Sequence, residues 1–401
     1  MRVCFTNLGC KLNQAEIERL ARDFLAAGHL VVPSPSEADV HVVNSCTVTH
    51  TAARASRKAA RRGPRTVLTG CHATYQPDDV EVDLIVTNPE KDRLLDHVHA
   101  AFPDLAPAEV PVPWVRLPFG HTRALVKVED GCNMRCSFCI IPSTRGRQRS
   151  RPLDEVVEEV RSLVEAGYQE VVVTGVQISA YRWGDDRLYE LVRAILERTE
   201  VPRLRLTSIA PWDLDERLLE LWSDRRLCRH LHLSLQSGST GTLRRMRRPY
   251  TAESYLGVLD RVRSFIPGVA ITTDVIVGFP GETAEEFEES LATVKAARFA
   301  KAHIFPFSSR PGTEAAELPG HVHPDEKKAR MERMLAVADR AERDFWLEHV
   351  GRRETVLWER GGQGLTDNYL RVHCPEGVWN CFSEVEVVGV AQDGVVGAHR
   401  S

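Results

Sequence analysis

The chain has 401 residues, 43% of them hydrophobic, and a formal net charge of −4. This length predicts two or three domains with a large core, and the near balance of charge excludes a protein that binds polyanions over its whole surface. No apolar run reaches membrane-spanning length, and the first residues, MRVCFTNLGC, are typical of a strand rather than of a signal sequence. We therefore expect a soluble, cytoplasmic protein without membrane contact.

Residues 1–100 alternate short apolar strands with amphipathic helices. Strands are expected at RVCFTNL, DVHVVNS, TVLTG and VDLIVTN, and helices at about 13–27, 50–62 and 90–100. This alternation predicts an α/β domain with a mainly parallel sheet that is covered on both faces. Residues 101–120 carry five prolines and no helical period, which predicts a linker.

Residues 121–345 repeat the alternation with six strand candidates: RALVKVED, EVVVTGV, LRLTSI, HLHLSL, ITTDVIVGF and AHIFPF. Six βα units predict a partial (β/α)6 barrel whose chemistry lies at the carboxyl ends of its strands. A long charged helix over about 324–349 closes this unit. Residues 346–401 then show short alternating segments with glycine turns, which predict a small β-barrel domain.

Three of the ten cysteines lie in the stretch DGCNMRCSFC, directly after the first barrel strand: Cys132, Cys136 and Cys139. Clustered cysteines in a reducing compartment indicate metal binding or catalysis. A zinc knuckle would need a second pair of cysteines, which the following dozens of residues do not contain. A four-iron cluster held by three thiolates leaves one iron free to bind a small molecule. The cluster is favoured, with a zinc loop as the alternative.

Three further cysteines each follow an apolar strand, in the contexts CFTNLGC, VHVVNSC and TVLTGC: Cys10, Cys46 and Cys71. The carboxyl ends of parallel strands share one edge of a sheet, where ligand sites form. The three thiolates could therefore meet there and hold a second cluster. From the spacing alone, three buried structural cysteines explain the pattern equally well.

The CxxxCxxC spacing, with Phe138 before the third cysteine, closely resembles the radical S-adenosylmethionine superfamily. TNLGCKLNQAEIERL, VVNSCTVT and LTGCHA, followed by VVVTGVQISAYRWG, ITTDVIVGFPGET and HIFPFSSRPGT, resemble the methylthiotransferases over essentially the full chain. GLTDNYLRV is similar to the RNA-binding TRAM domain. The resemblance implies two 4Fe-4S clusters, one on each cysteine set, with S-adenosylmethionine as methyl donor and radical source. It also implies that Phe138 contacts the cofactor.

Within this family, GCKLNQAE, LTSIAPWD and RRMRRPYT look most like the branch that acts on N6-threonylcarbamoyladenosine at position 37, in the anticodon loop of tRNA. Relatives that act on N6-isopentenyladenosine or on an aspartate of a ribosomal protein share the architecture. The alternative that is not an enzyme is an iron–sulfur RNA-binding sensor. Ala210 stands where the branch usually has glutamate and Ser234 where it has proline, so the substrate contacts are in doubt. A flavodoxin or ferredoxin is the expected type of electron donor.

Polar residues at the strand ends around the barrel mouth are candidates for further cofactor contacts: Gln177, Ser208, Gln236 and Asp274. Clustered arginines favour RNA phosphate contacts, and they lie beyond the cysteine loop and on a helix of the first domain: Arg145, Arg147, Arg149, Arg57 and Arg61. Solvated helix faces are the simpler explanation for any one of these runs. Tyr369 and Trp379 are candidates for stacking on bases, and each could equally belong to the core.

Overall fold

Three units of α and β structure make up the chain. The structure, a computed structural model, describes residues 1–105 and 121–399. These residues form an N-terminal parallel sheet with helices, a central partial barrel and a small closed β-barrel, which confirms the predicted fold class. The linker predicted over 101–120 lies outside the described residues from position 106 onward.

The N-terminal unit is a five-stranded, all-parallel sheet flanked by helices. Its elements are β1 (Arg2–Asn7), α1 (Lys11–Ala26), β2 (Leu30–Val31), β3 (Val40–Ser45), α2 (His50–Ala60), β4 (Thr66–Gly70), α3 (Cys71–Tyr75), β5 (Leu84–Val86) and α4 (Leu94–Ala101). The strand order is β2-β1-β3-β4-β5, so β1, β3 and β4 are neighbours. Every residue of β3 is buried, as expected for a central strand with helices on both faces. The sequence missed two short elements, β2 and α3.

The central unit contains six parallel strands with helices between them, and four short strands that form two antiparallel pairs. Its strands are β6 (Arg123–Lys127), β7 (Glu129–Asp130), β8 (Arg149–Ser150), β9 (Glu170–Thr174), β10 (Arg182–Trp183), β11 (Asp186–Arg187), β12 (Leu204–Leu206), β13 (His230–His232), β14 (Ala270–Val277) and β15 (Lys301–Pro306). Its helices are α5 (Ile141–Arg145), α6 (Leu153–Glu165), α7 (Leu188–Arg198), α8 (Glu216–Glu220), α9 (Thr240–Arg245), α10 (Ala252–Phe265), α11 (Ala284–Ala297), α12 (Glu314–Glu317) and α13 (Pro324–Leu347). Within residues 1–105 and 121–399, no helix is both long and apolar enough to cross a membrane.

The barrel consists of two three-stranded parallel sheets, β6-β9-β12 and β13-β14-β15. Single bridges, Leu204–Leu227 and Ile209–Leu233, connect the two sheets. No strand pairing joins β6 to β15 in the described part of the chain, so the barrel is open on that side.

Residues along the barrel strands alternate between a helix-covered outer face and an inner face. On β6, Ala124 and Val126 belong to the main hydrophobic core. Leu125 instead packs with Val172 of β9 and Ala15 of α1. Helix α1 of the N-terminal unit therefore lies against the inner face of the barrel at its open edge.

The C-terminal unit is a closed barrel of five strands, which are β16 (Arg353–Trp358), β17 (Gln363–Thr366), β18 (Arg371–His373), β19 (Phe382–Val390) and β20 (Val395–Ala398). Trp358 lies at the centre of its core. The segment GLTDNYLRVHC forms β17 and β18 with a turn in which Tyr369 has a φ of +68°. Arg203 and Arg205, at the start of β12, donate to backbone carbonyls of β17 and its turn at 2.9 Å. The C-terminal unit is thereby fixed to the foot of the central barrel.

Candidate active site

The cysteine loop follows β6 and β7, at the carboxyl end of the first barrel strand. Gly131 starts the loop with a φ of +75°, and a Cβ at this position would lie 2.3 Å from a backbone carbonyl oxygen across the loop, so glycine is required. The N–H of Met134 donates to Sγ of Cys132 at 3.4 Å, and the N–H of Ile141 donates to Sγ of Cys139 at 3.5 Å. These hydrogen bonds orient the sulfur atoms and favour their thiolate form.

The three thiols of this loop are close enough to influence one another. Burial raises the pKa of Cys139 to about 12, and Cys136 and Cys132 contribute in the same direction. Burial also raises the pKa of Cys132. Three adjacent thiolates need a strongly positive partner, and the irons of an iron–sulfur cluster provide one. The donor set therefore fits such a cluster.

The second cysteine set lies at the carboxyl ends of the three adjacent strands β1, β3 and β4. Cys46 and Cys71 follow their strands directly, and Cys10 follows a short turn after β1. The chain is tightly packed here, because a Cβ on Gly9 would lie 2.9 Å from Cβ and 3.1 Å from Sγ of Cys46. The sheet thus brings three cysteines from distant parts of the sequence to one edge.

The thiols of the second set also act on one another. Burial raises the pKa of Cys46 to about 11, with smaller contributions from Cys71 and Cys10. Surrounding protein likewise raises the pKa of Cys10, although its side chain is accessible to solvent. Three thiols that influence one another at one sheet edge are a suitable donor set for a second cluster.

The spacing of the cysteines does not suit a single metal ion. Among the described residues, no group of three or more His, Cys, Asp or Glu side chains could hold one ion. In an iron–sulfur cluster each cysteine binds a different iron, so the protein sulfur atoms need not converge on one point. The zinc alternative for the loop gains no support from the structure.

A buried ion-pair hub joins the two cysteine sets, and Arg145 is its centre. Arg145 is only 2% exposed and donates to Glu16 at 2.9 Å and to Asn13 at 2.6 Å, both on α1 of the N-terminal unit. It also donates at 2.9 Å to Asp130, which directly precedes the cysteine loop. Because its donors are engaged inside the protein, the expected contact of Arg145 with RNA is wrong.

Two lysines complete this hub, which comprises Arg145, Glu16, Asp130, Lys91 and Lys127. Lys91 donates to Glu16 at 2.7 Å, and Lys127 lies 3.2 Å from Glu16 and 3.4 Å from Asp130. Burial alone would raise the pKa of Glu16, but Arg145, Lys91 and Lys127 lower it well below its ordinary value. Three cations and two carboxylates leave one positive charge in excess beside the cysteines.

Asn88 links the hub region to the second set. Its Nδ2 donates to the backbone oxygen of Thr144 at 2.8 Å and lies 3.8 Å from Sγ of Cys71. Thr144 precedes Arg145 on α5, which follows the cysteine loop. One side chain of the N-terminal unit therefore contacts both a cysteine of the second set and the helix after the first.

Arg248 contacts the cysteine loop from the opposite side. Its Nη1 donates to Sγ of Cys136 at 3.3 Å, and its guanidinium lies 4.9 Å from the ring of Trp212 and 5.4 Å from the ring of Tyr250. In the sequence Arg248 belongs to the basic run RRMRR. The charge pattern shows no difference between Arg248 and its neighbours, so sequence reasoning missed this role.

The predicted cofactor contacts lie around the barrel mouth, with one exception. Gln177, Ser208 and Gln236 follow β9, β12 and β13, and Nε2 of Gln177 donates to Asp213 at 3.0 Å. Ser208 and Gln236 have φ values of +54° and +64°, which are strained for residues other than glycine and recur at functional sites. Asp274 lies within β14 rather than at its end, so it faces the barrel interior below the mouth.

An apolar wall borders the cysteine loop. Phe138 packs edge-on against Phe279, with 6.3 Å between the ring centroids, and Met246 and Phe307 belong to the same cluster. Such a wall excludes water from the neighbouring thiols.

Glu129, which the sequence did not single out, supports the turn after β9. Its Oε2 accepts from the N–H groups of Val176 and Gln177 at 2.8 and 3.0 Å. Burial raises the pKa of Glu129 to about 8, and Asp130 contributes in the same direction. This carboxyl group fixes the position of Gln177 at the barrel mouth.

Two positions depart from the pattern of the resembled branch. Ala210 is buried, and its N–H donates to the hydroxyl of Ser179 at 3.0 Å. The hydroxyl of Ser234 lies 3.3 Å from Nε2 of His232. Both residues are held by local hydrogen bonds at the barrel mouth.

The remaining candidates for RNA contact are accessible to different degrees. Arg147 and Arg61 are exposed. Arg149 is exposed and donates to Asp130 at 3.0 Å, while Arg57 is partly exposed and donates to Asp79 at 3.3 Å. Of the two aromatic candidates, Trp379 is 38% exposed, whereas Tyr369 points into the foot of the central barrel and stacks on His230.

The inner face of β13, β14 and β15 is polar. Nε2 of His232 lies 3.3 Å from Oδ2 of Asp274, and the rings of His232 and His303 are 6.4 Å apart. Burial alone would raise the pKa of Asp274, but His232 lowers it, with smaller contributions from His303 and Lys11. Lys11 of the N-terminal unit therefore reaches the interior of the barrel.

Two family models match the chain. The model of the radical SAM superfamily matches residues 126–294, which contain the cysteine loop. The model described as uncharacterized protein family UPF0004 matches residues 2–88, which contain the second cysteine set.

Characterised relatives match nearly the whole chain. The threonylcarbamoyladenosine tRNA methylthiotransferase MtaB of Bacillus subtilis is 35% identical over 409 residues, covering 92% of this chain and 89% of that protein. The tRNA-2-methylthio-N(6)-dimethylallyladenosine synthase of Syntrophotalea carbinolica is 33% identical over 391 residues, covering 89% and 88%. The solved structure of the radical S-adenosylmethionine methyltransferase TsrM from Kitasatospora setae superposes with a TM-score of 0.59 at 17% identity, covering 79% of this chain and 77% of that one. This last likeness shows the fold alone.

Proposed function

The chain belongs to the radical S-adenosylmethionine tRNA methylthiotransferases, and from this premise we propose that it adds a methylthio group to C2 of N6-threonylcarbamoyladenosine at position 37 of tRNA. The pair of cysteine sets on either side of the buried hub carries this proposal. Replacing hydrogen on a ring carbon by sulfur requires a radical source and a sulfur source within reach of one base. The hub supports the proposal because it holds the two sets in a fixed relation.

The donor sets determine which residues would hold the cofactors. Cys132, Cys136 and Cys139 would hold the 4Fe-4S cluster that binds S-adenosylmethionine, and Cys10, Cys46 and Cys71 would hold a second 4Fe-4S cluster. When bound, these groups would supply a carbon radical able to remove hydrogen from the unactivated C2, together with the sulfur and methyl group that replace it.

The protein's own residues position and shield these groups. Arg248 donates to Sγ of Cys136 and fixes its orientation. Phe138 and Phe279 keep water from the loop, which protects a radical from side reactions. Gln177, held by Glu129, together with Ser208 and Gln236, contributes polar contacts for S-adenosylmethionine at the mouth.

Exposed and partly exposed arginines around this site would position the tRNA: Arg147, Arg149, Arg57 and Arg61. Arginine contacts with phosphates fix the register of a nucleic acid without reading its sequence. The target base must be unstacked to reach the two cysteine sets, and this costs least in a single-stranded anticodon loop. A flavodoxin or ferredoxin would supply the electron that the radical chemistry consumes.

The second candidate substrate is N6-dimethylallyladenosine, because relatives named for that base are nearly as similar in sequence. The deciding assay uses anaerobically reconstituted enzyme and anticodon stem-loop RNAs that carry either base. We expect about eight irons per chain, and about four after Cys132, Cys136 and Cys139 are all changed to alanine. Mass spectrometry should find the 2-methylthio product from the threonylcarbamoyl RNA. Product from the dimethylallyl RNA alone would replace the proposed substrate.

A further inference from the structure

A cavity inside the barrel is bordered by the first turn of α1. It has a volume of about 150 Å³ and extends from the first turn of α1 to the C-terminal unit. Its charged walls are Lys11, Arg123, Arg205 and Glu359. Lys11 directly follows Cys10 in the chain, so the cavity and the second cysteine set share one segment.

The two arginines of this cavity are neutralised by carboxylates. Arg123 donates to Glu359 at 2.7 Å. Arg205 donates to both carboxylate oxygens of Glu170, at 2.7 and 3.1 Å. Among the described residues Lys11, in contrast, forms no direct ion pair, and its charge lowers the pKa of Asp274 from a distance. The cavity therefore presents one cation without a directly bound carboxylate.

Tyr369 of the C-terminal unit forms the floor of the cavity. Its ring stacks on His230 with 4.6 Å between centroids, and the ammonium of Lys11 lies 5.2 Å from the ring centroid. Such a cation–π contact is weaker than an ion pair with a carboxylate. The ammonium of Lys11 is thus held in place while its hydrogen-bond donors stay available.

We propose that Lys11 binds the carboxylate of the threonyl group and thereby selects N6-threonylcarbamoyladenosine over adenosines with an apolar N6 substituent. This inference rests on the proposed function. N6 and C2 lie on the same edge of adenine, on either side of N1. A residue that binds the N6 substituent while C2 faces the sulfur source must therefore lie on the same side of the base as the second cysteine set, and Lys11 directly follows Cys10 of that set.

The selectivity has a simple physical origin. A carboxylate brought to Lys11 gains a charge-assisted hydrogen bond to the ammonium. A dimethylallyl group gains no such bond and separates the ammonium from the water that solvated it, which is unfavourable. The same residue thus favours one substrate and disfavours the other.

The test compares two RNAs that differ only at this carboxylate. One anticodon stem-loop carries N6-threonylcarbamoyladenosine, and the other carries its carboxamide, which is neutral and of nearly equal size. With the parent holoenzyme we expect kcat/KM for methylthiolation to be about 30-fold lower for the carboxamide. Lys11→Met should lower kcat/KM by a similar factor for the carboxylate RNA and show almost no preference between the two RNAs.

Further variants and readouts exclude a merely structural effect. Lys11→Arg, which keeps the charge, should recover most of the preference, and Lys328→Met, on the exposed face of α13, should behave as the parent. The iron content of Lys11→Met should equal that of the parent. Its binding of the carboxylate RNA, measured by fluorescence anisotropy, should weaken in proportion to kcat/KM.

The outcomes separate this inference from the proposed function. If Lys11→Met still discriminates between the two RNAs as strongly as the parent, Lys11 does not bind the carboxylate. An equal loss for both RNAs would assign Lys11 to the second cysteine set instead. If the parent converts neither RNA but converts the dimethylallyl RNA, the proposed substrate itself is wrong.

Discussion

The two cysteine sets reach similar donor arrangements by different structural routes. The first is a single loop, and its shape depends on local backbone features such as Gly131 and two N–H···S hydrogen bonds. The second exists only because β1, β3 and β4 are neighbours in a folded sheet. The arrangement of the first set is therefore determined by the backbone of its own loop. The arrangement of the second set depends on the whole N-terminal unit and on the hub that connects this unit to the barrel.

The largest expected difference between the two cysteine sets is in the reactions that are lost when each set is removed. Changing Cys132, Cys136 and Cys139 to alanine should abolish both 5′-deoxyadenosine formation and methylthiolation. Changing Cys10, Cys46 and Cys71 to alanine should abolish methylthiolation but leave 5′-deoxyadenosine formation within about fivefold of the parent, because the radical source is intact. Chromatography of small-molecule products and mass spectrometry of the RNA measure both activities. Equal loss of 5′-deoxyadenosine in the two triple variants would show that the sets do not divide these roles.

The next largest effect should come from the hub, which connects the two sets. Arg145→Met leaves Glu16 and Asp130 buried without their main partner, so we expect a loss of about 3–5 kcal/mol in the free energy of unfolding. Arg147→Met, two residues away on the surface, should change it by less than about 0.5 kcal/mol. Urea-induced unfolding followed by tryptophan fluorescence provides the measurement. Similar urea midpoints for Arg145→Met and Arg147→Met would show that the hub does not stabilise the contact between the N-terminal unit and the barrel.

A smaller effect concerns pH at the contact between α1 and the barrel. Burial raises the pKa of Glu18 to about 7 from its ordinary 4.5. Between these values the folded chain keeps a proton that the unfolded chain has released, so this residue makes the fold less stable as pH rises through that window. Because one pKa unit corresponds to about 1.4 kcal/mol, Glu18→Gln should be more stable than the parent by up to about 3 kcal/mol at pH 8.

Glu18→Gln should give no gain in the free energy of unfolding at pH 4, where Glu18 is protonated in both the folded and the unfolded chain. Unfolding of parent and variant across this pH range checks the sign. A constant difference between them at every pH would show that the carboxyl group does not titrate in this window.

The smallest effect should be found within the cysteine loop itself. Gly131 and Gly146 both have a φ of +75°, but only at Gly131 would a Cβ collide with the backbone, at 2.3 Å, whereas nothing lies within 4 Å at Gly146. Gly146→Ala should lower the free energy of unfolding by about 1 kcal/mol, because alanine is strained at a positive φ. Gly131→Ala should lower it by about 2 kcal/mol more, because its Cβ also collides with the backbone. Thermal unfolding compares the two. Equal melting temperatures would show that the loop can open to accept the methyl group.

The sequence was most informative where chemistry is encoded by local spacing. Cys132, Cys136 and Cys139 stand in one loop after a strand, so their grouping could be predicted directly. The convergence of Cys10, Cys46 and Cys71 required the further rule that parallel strands end at the same edge. This rule was enough to predict that the three cysteines lie close together. The spacing alone could not predict whether they hold a cluster or are structural.

The sequence was least informative about what a charged side chain faces. Arg145 and Arg147 are almost adjacent, yet one is buried in the hub and the other is exposed. Arg248 likewise belongs to a run of basic residues, yet its guanidinium donates a hydrogen bond to Sγ of Cys136. Nothing in the sequence distinguishes Lys11 from other lysines. The difference between Lys11 and the other cations of the cavity arises because carboxylates from distant segments pair with Arg123 and Arg205. Such partners become visible only in the folded chain.

The central claim is that the two cysteine sets hold two clusters across one hub, near enough to act on one base. Electron paramagnetic resonance of the reduced holoenzyme tests it most directly. We expect a spectrum broadened by magnetic coupling between two clusters, which reduces to a single uncoupled signal in either triple alanine variant. A parent spectrum equal to the sum of the two variants' spectra, or one that is unchanged when Cys10, Cys46 and Cys71 are removed, would contradict the claim.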